Sequence, residues 1–261
     1  MIKFKVEKLN EKVLKVLVFI VIICVGLYFT YPENLNDARK MAYVKAYGTT
    51  LTLTLGGVLI GIILGFILAF IKFLGIKPLN FIIDEYIDII RGTPIAIQLI
   101  VFVFVIFATL PETAKAIISL LGLSSIPSID SIFAAIIALG LNSSAYVAEI
   151  VRSGINSVDK GQMEAARAMG LDYKTSMKEI VFPQAIKNIL PALANEFIVL
   201  FKETSIVGMV GIMDITQFSK SLQATMYSAQ PILFAAVIYY ASVKFFSLLA
   251  KLLEKRLNRH D

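Results

Sequence analysis

The sequence has very few residues that bind metals or form covalent bonds. Its 261 residues include a single histidine, His260, and a single cysteine, Cys24. A structural zinc site, a disulfide framework or a Cys–His nucleophile each needs several such residues together. The sequence has no GxxxxGK[ST] segment, so it lacks that type of nucleotide-binding loop. Its apolar segments contain no HExxH, Ser–His or Asp–Asp pair, which argues against a hydrolase that acts within a membrane.

Charged residues are also scarce. They form 17% of the chain, whereas apolar residues form 57% and the mean hydropathy is +0.79. Because soluble domains contain roughly 45–50% apolar residues, this composition predicts an integral membrane protein, which we expect to be all-α. A membrane span needs about 20 apolar residues. Six segments approach or reach that length: Val13–Phe29, Tyr47–Ile71, Pro94–Leu110, Ser131–Val151, Ala185–Phe201 and Pro231–Leu253.

The distribution of positive charge predicts how these six spans are oriented. Most of the 25 lysines and arginines lie at the two ends and in the loops after the second and fourth spans. The alternate loops contain only Arg39, Lys40, Lys45, Lys115 and Lys220. Lysine and arginine accumulate in cytoplasmic loops, so both termini are predicted to be cytoplasmic. The net charge of +6 is divided among these loops and does not indicate nucleic-acid binding.

The first apolar segment has a second interpretation, a secretory signal peptide, because lysines precede it. No small-x-small cleavage site follows it, and Tyr31-Pro32-Glu33 is a poor substitute. An uncleaved span also gives the even number of crossings that two cytoplasmic ends require. We therefore interpret the segment as a retained span.

A polar segment at 164–183, EAARAMGLDYKTSMKEIVFP, lies between two apolar segments. The pattern predicts a helix from Glu164, a stop at Gly170, and a second helix that ends at Pro183. It resembles the EAA loop in permease subunits of ATP-binding-cassette importers, with the pattern EAA, three residues, Gly, nine residues, Ile, one residue, Leu-Pro. The sequence departs from that pattern only at Phe182, which stands in place of leucine.

The resemblance implies which residues transmit energy and which partners the chain has. In that family the EAA loop sits in a groove of a separate ATPase subunit. The coupling residues would be Glu164, Ala165, Ala166, Gly170 and Pro183, and the partner ATPase would bind ATP and Mg. No cofactor is expected in this chain. The resemblance also implies a second permease copy or homologue, location in a bacterial cell membrane, and an extracytoplasmic binding protein that touches loops 111–130 and 208–229.

Two further motifs resemble those of polar amino-acid permeases. Arg91-Gly92-Thr93-Pro94 with Gln98 matches RGTPxxxQ, and 141–152 matches LNSxAYxAEIxR. The resemblance begins near Tyr47 and runs to about residue 250, and its familiar core has five spans. We therefore expect an added segment at 1–46, a transmembrane domain at 47–253 with a cytoplasmic coupling loop at 154–187, and a tail at 254–261.

Two of the predicted spans have polar residues along one helical face. At 100° per residue, Asn142, Tyr146 and Glu149 fall within about a 60° arc. Asn195 and Lys202 share a face of the fifth span, and Glu196 and Glu203 lie on the adjacent face. Polar groups at membrane depth are costly unless they are paired or face a wet cavity. The seven predicted substrate-binding residues are the motif residue Gln98 and, from these faces, Asn142, Tyr146, Glu149, Asn195, Lys202 and Glu203.

The family resemblance and these two faces suggest a site for an amino acid. Lys202 would bind the carboxylate, Glu149 or Glu203 the ammonium, Asn142 would supply hydrogen bonds, and Tyr146 would form a wall. Structural roles remain open for the same residues: hydrogen bonds between helices, a neutralising ion pair of Lys202, or a surface pair of Glu149 with Arg152. An importer of another small polar solute and a passive channel are the alternative functions.

Two segments predict local packing. Gly57, Gly61 and Gly65 recur every fourth residue, which lets another helix approach closely. We expect that helix to belong to the same subunit. Residues 78–91 mix acidic residues with isoleucine and phenylalanine, as an amphipathic helix at the inner membrane surface does.

Overall fold

The computed structural model describes residues 2–32, 35–107, 109 and 130–257. The regular structure of these residues is entirely helical, which confirms the all-α prediction. The helices are α1 Ile2–Thr30, α2 Asp37–Phe73, α3 Lys77–Gly92, α4 Ile95–Ile100, α5 Ser131–Asn156, α6 Lys160–Ala168, α7 Tyr173–Ser176, α8 Phe182–Glu203, α9 Ile215–Met226 and α10 Gln230–Leu257. Two π-helical turns, Val101–Ile106 and Met177–Val181, and a 3₁₀ helix, Thr204–Val210, extend these elements.

Three of the helices are long and apolar enough to cross a membrane: α2, α5 and α10. Helix α3 and residues 95–106 are together long and apolar enough to cross a membrane, but the two parts are bent by 105° relative to each other. Helix α1 has a shorter apolar stretch, Val16–Thr30, and α8 is too polar to count as a membrane span by composition. Three of the six predicted spans therefore coincide with strongly apolar helices, whereas the other three fall on shorter or more polar ones.

Helix α2 begins at Asp37, well before the predicted start of the span at Tyr47. Asn36 caps it by accepting a hydrogen bond from the backbone N–H of Arg39, and Asp37 lies in the first turn, where a carboxylate favours the helix dipole. The 37 residues of α2 extend about 55 Å. A bilayer core is only about 30 Å thick, so part of the helix extends beyond it.

Glycines bring α2 and α5 into close contact. A Cβ at Gly61 would lie 2.6 Å from the Cβ of Ser143, and one at Gly65 would lie 2.6 Å from the Cβ of Val147. Gly57 faces Leu139 in the same way, at 3.1 Å. The prediction that this glycine face packs within the subunit is confirmed.

The amphipathic helix predicted at 78–91 is also confirmed, as α3. Ile83, Ile87 and Ile90 are buried and pack against Ala145 and Ala148 of α5. Its polar side faces outward, where Asp84 forms an ion pair with Lys72 at the end of α2. Helix α3 therefore holds its last residues, including Arg91, beside the middle of α5.

Candidate functional site

A cavity of about 580 Å³ lies between α3, α5 and α8. Its polar lining comprises Arg91, Tyr146, Glu149, Ser153, Ser157, Asn188 and Glu196. On α5 the lining runs from Tyr146 to Ser157, which is about 16 Å along the helix axis. At the Ser157 end, Asn188 donates a 2.8 Å hydrogen bond to the hydroxyl of Ser157. The cavity therefore extends from the middle of α5 toward the segment that contains α6 and α7.

Both signs of charge line this cavity. The guanidinium of Arg91 lies over the ring of Tyr146, 5.6 Å from its centroid. One turn further along α5, Glu149 accepts a 2.9 Å hydrogen bond from Nε of Arg152 and a second bond from its terminal nitrogen. The predicted surface pair of Glu149 and Arg152 is thus present, and Glu149 lines the cavity at the same time.

The carboxylate of Glu196 reaches the cavity from α8. Its side chain is buried, and Oε1 accepts a 2.8 Å hydrogen bond from the hydroxyl of Ser143. Among the described residues, no lysine or arginine forms an ion pair with it. A buried carboxylate without a cation is costly, so its position at a cavity wall makes Glu196 a candidate functional residue.

Gln98 and Asn142, which the sequence predicts as substrate ligands, bind each other. Both are buried, and the Asn142 side-chain amide donates a 2.9 Å hydrogen bond to Oε1 of Gln98. The amide of Gln98 in turn donates to the backbone oxygen of Ile90 at 2.7 Å and to the hydroxyl of Thr93 at 2.7 Å. This network joins α3, α4 and α5 and fixes the end of α3 where Arg91 lies.

The other three predicted ligands lie on α8, away from this cavity. Lys202 lines a second cavity of about 440 Å³, formed with α9 and α10, in which Tyr239 and Thr216 also take part. Asn195 is exposed and Glu203 is half-buried. Within one chain, Lys202 and Glu149 therefore do not line a common cavity, whereas Tyr146 and Glu149 do.

Arg91 and Glu196 are functional candidates that are not among the predicted substrate-binding residues. Arg91 belongs to the RGTPxxxQ motif, of which only Gln98 is a predicted substrate-binding residue. Glu196 lies on the face of α8 next to Asn195, and its spacing from Ser143 cannot be inferred without the helix packing. The sequence signal available for both was a charged residue close to a predicted polar face.

The predicted coupling segment folds as α6, a turn and α7. The predicted helix start at Glu164 is wrong, because Asp159 caps the helix by accepting a hydrogen bond from the N–H of Gly161, and α6 begins at Lys160. The turn is a Schellman motif: the N–H of Gly170 donates to the oxygen of Arg167 at 3.0 Å, and the N–H of Leu171 donates to the oxygen of Ala166 at 3.2 Å. Gly170 has a φ of +88°, a left-handed conformation that glycine adopts without strain. The helix stop predicted at Gly170 is confirmed, together with its cause.

The residues of the coupling segment differ in how far they are exposed to solvent. Ala166 is buried against the protein, whereas Glu164 and Ala165 are exposed. Met169 and Tyr173 are exposed apolar side chains, 74% and 60% accessible, on either side of the turn. A large apolar side chain in water marks a surface that a partner can cover.

Asp172 begins the second helix of the segment. Its carboxylate accepts a 2.8 Å hydrogen bond from the backbone N–H of Thr175. Hydrogen bonds from the Thr175 side chain and backbone hold the pKa of this carboxyl below its usual range. The N-terminus of α7 is therefore capped by an ionised side chain at neutral pH.

The prediction that the second helix ends at Pro183 is wrong. Helical backbone continues from Tyr173 through the π turn Met177–Val181 into α8, and Pro183 lies in the first turn of α8. Proline lacks a backbone N–H donor, so inside a regular helix it breaks the hydrogen-bond pattern. Pro183 lies in the first turn of α8, directly after a wider π turn, where this break does not arise. The coupling segment is therefore continuous with α8, which lines both cavities.

These features define an all-helical membrane permease with a polar interior and a helix–turn–helix segment outside it. The family model for the inner membrane component of binding-protein-dependent transport systems matches residues 57–259. The chain belongs to this family. It is therefore a multi-pass membrane protein and the permease subunit of an ATP-binding-cassette importer, which works with ATPase partner subunits and is not itself an enzyme.

Individual relatives and solved structures agree with this assignment. The chain is 40% identical over 191 residues to the arginine transport system permease protein ArtQ of Bacillus subtilis, covering 73% of this chain and 80% of that one. It is 39% identical over 180 residues to a putative glutamine transport system permease protein GlnP of Rickettsia typhi, covering 69% and 76%. A crystal structure of an amino acid ABC transporter with histidines matches with a TM-score of 0.71 and 39% identity over 83% of this chain and 94% of that one. The methionine ABC transporter MetNI shares the fold, with a TM-score of 0.68 at 18% identity, over 86% of this chain and 100% of that one.

Proposed function

We propose that this chain carries amino acids across the membrane and binds them in the cavity between α3, α5 and α8. The observation that supports this most directly is that Arg91 and Glu149 line the same cavity. An amino acid has a carboxylate and an ammonium at a fixed separation, so a site that recognises it needs a cation and an anion side by side. Relatives named for arginine and glutamine transport support the same substrate class.

The size and position of the cavity fit this role. Its volume of about 580 Å³ lies within the roughly 300–1,000 Å³ typical of small-molecule sites. It is bounded by α5 and α8, and α8 continues directly from the coupling segment. A displacement of α6 and α7 by a partner would therefore be transmitted along the backbone to Glu196 and Asn188.

We propose that two permease subunits face each other across the side of α8 that holds Asn195 and Lys202. Both residues are exposed in the single chain although they lie on a helix that extends about 33 Å. A lysine and an asparagine that face lipid tails are costly, so such residues normally face protein or a water-filled space. A second copy or a homologue would cover them and enclose a pathway.

The other partners and the orientation follow from the family resemblance and the charge distribution. The exposed turn around Gly170 would dock in an ATPase subunit that holds ATP and Mg. The positive-inside rule places that turn and both termini in the cytoplasm. An extracytoplasmic binding protein would then contact the opposite side at 208–229 and at 111–130, which lies outside the described residues except for Asp130.

The experiment that tests the proposed function is uptake of a panel of radiolabelled amino acids. Proteoliposomes would contain this permease, its copurified ATPase and the binding protein. We expect uptake of one group of amino acids when ATP is enclosed and no uptake without it. Equal uptake with and without ATP would identify a passive channel. Active ATP hydrolysis with no uptake of any amino acid would indicate a different polar solute.

A further inference from the structure

Helix α1 packs along α10, and the two helices run in opposite directions. The ring of Phe19 lies 6.0 Å from that of Tyr240 between centroids, and the ring of Tyr31 lies 5.6 Å from that of Phe234. Residue numbers therefore rise along one helix as they fall along the other. The start of α1 and the end of α10 extend from the Phe19–Tyr240 contact toward the same side of the membrane.

The last half of α10 presents a row of lysines on the side that faces α1. At 100° per residue, Lys244, Lys251 and Lys255 fall within about a 40° arc, and Tyr240 lies about 20° from its edge. The amine of Lys244 lies 5.9 Å from the centroid of the Tyr240 ring, the ring that also contacts Phe19. All three lysines are exposed although α1 runs beside them, so the groove between the two helices is open at this end.

Helix α1 has lysines on the face that meets this row. Four positions lie within about 40° of Phe19 around the helix axis: Lys5, Lys8, Lys12 and Lys15. Both helices rise about 1.5 Å per residue, so levels can be compared by counting residues from the Phe19–Tyr240 contact. Lys15 and Lys244 are both four residues away, or about 6 Å. Lys8 and Lys251 are both eleven residues away, or about 17 Å.

These facing rows place cations at equal levels on neighbouring helices, and the chain offsets their repulsion only in part. Residues 2–15 and 244–257 contain nine lysines and arginines but only three acidic residues: Glu7, Glu11 and Glu254. By the same helical spacing, all three acidic residues lie outside the two lysine rows. No lysine of the α10 row forms an ion pair with a described residue. An anion bound in the groove would therefore stabilise the contact between α1 and α10.

The surroundings of the groove favour a lipid over a soluble anion. The apolar stretch of α1 begins at Val16, directly after Lys15, so the rows begin at the edge of the membrane core. Leu248 and Leu252 lie among the lysines of α10 and are 53% and 62% exposed, which leaves apolar surface for acyl chains beside the cations. Basic clusters at the cytoplasmic end of a span bind anionic lipid headgroups.

We infer that the groove between the start of α1 and the end of α10 binds the headgroup of an anionic phospholipid. Its phosphate lies between the two lysine rows, and its acyl chains pack against the exposed leucines of α10. In the proposed orientation, this lipid belongs to the cytoplasmic leaflet. The site is separate from the cavity between α3, α5 and α8, so the inference does not depend on the proposed function.

The test measures lipid binding to the purified permease–ATPase complex in detergent, after its native lipids have been removed. Dioleoyl phosphatidylglycerol and dioleoyl phosphatidylcholine have the same acyl chains, but only the first has a net negative charge. Native mass spectrometry gives the fraction of the complex that carries each lipid. We expect phosphatidylglycerol to bind about 10- to 100-fold more tightly, as when two or three lysines act on one headgroup. An excess of sn-glycerol 3-phosphate, which lacks acyl chains, should not displace it.

The variant Lys244→Gln/Lys251→Gln/Lys255→Gln removes the row on α10 and keeps polar side chains there. It should bind the two lipids about equally. Its melting temperature in lipid-free detergent should be at least that of the wild type, because the repulsion between the helices is removed with the row. Phosphatidylglycerol should raise the melting temperature of the wild type but not of the variant, whereas lysines with only a structural role would show no such dependence on lipid charge.

The matched control is Lys40→Gln/Lys45→Gln/Lys220→Gln, which removes three exposed lysines from the predicted external side. It should keep the preference for phosphatidylglycerol. The inference is overturned by equal binding of the two lipids to the wild type, by an unchanged preference in the α10 variant, or by loss of the preference in the control. Displacement by sn-glycerol 3-phosphate would overturn it too, because the occupant would then be a soluble phosphate. The wild-type comparison does not depend on any variant.

Discussion

At the scale of single residues, space and charge determine what each position of this permease tolerates. Gly65 is a steric case: a Cβ there would lie 2.6 Å from Val147 and 2.8 Å from the backbone oxygen of Ser144. Backbone cannot move as a flexible side chain can. Glu196 is an electrostatic case, because a neutral isostere keeps its shape and removes only its charge. The two kinds of position therefore need different substitutions to test them.

Gly65→Ala should destabilise the protein by about 1–3 kcal/mol, the usual cost of overpacking a close contact. The measurement is the melting temperature of the purified protein in detergent. Gly48→Ala is the matched control on the same helix, because a Cβ at Gly48 meets nothing within 4 Å. It should leave the melting temperature unchanged or raise it slightly, since alanine is the better helix former. Equal melting temperatures for the two variants would contradict the close packing of α2 on α5.

At the scale of elements, the turn between α6 and α7 depends on a left-handed residue. Gly170 adopts a φ of +88°, and its N–H closes the Schellman motif. Glycine takes this conformation freely, asparagine takes it at modest cost, and a β-branched residue takes it only with strain. The conformation of the turn sets the directions of both coupling helices.

We expect ATP-driven uptake to decrease in the order Gly170, Gly170→Asn, Gly170→Val, while ATP hydrolysis by the complex decreases less. The reason is that strain at this turn tilts the coupling helices without reaching the cavity. Uptake and hydrolysis would be measured in the same proteoliposomes, and membrane insertion would be checked by the amount of protein recovered. If Gly170→Val transported as well as the unaltered protein, the turn would have no role in coupling.

The elements also show how far the sequence can be interpreted. Helix periodicity, capping residues and turn glycines act within a few residues, so α3, the end of α6 and the Gly170 turn were predictable, whereas the start of α6 at Lys160 was placed too late, at Glu164. The π turn before Pro183 was not, because it depends on how α8 packs against its neighbours. The pairing of Gln98 with Asn142 likewise requires the distance between two helices, which no local pattern contains.

At the scale of the whole molecule, α5 is the central helix. In its most apolar window 61% of residues are buried, compared with 33% for α2 and 11% for α10. Because it contacts α2, α3 and α8, its polar residues lie in the interior, where a solute pathway can form. The sequence predicted this helix as polar and transmembrane, but its central position follows only from the packing.

The path of the chain predicts that the coupling turn and the turn before α10 lie on opposite sides of the membrane. Helix α8 leads about 33 Å away from the coupling segment, and α10, about 42 Å long, leads back. Glu164 is exposed beside the coupling turn, and Tyr227 is 96% exposed in the turn before α10. With the positive-inside rule, we expect Glu164 to be cytoplasmic and Tyr227 to be external.

Labelling with a membrane-impermeant maleimide tests this orientation, because the chain has one cysteine that can be removed. In a Cys24→Ser background, Tyr227→Cys should react in intact cells, and Glu164→Cys should react only after the membrane is permeabilised. The Cys24→Ser protein without an added cysteine controls for background, and recovery of each variant in the membrane fraction shows that it is inserted. The reverse pattern would place the termini outside, and labelling of both residues in intact cells would contradict the assignment of α8 as a helix that crosses the membrane.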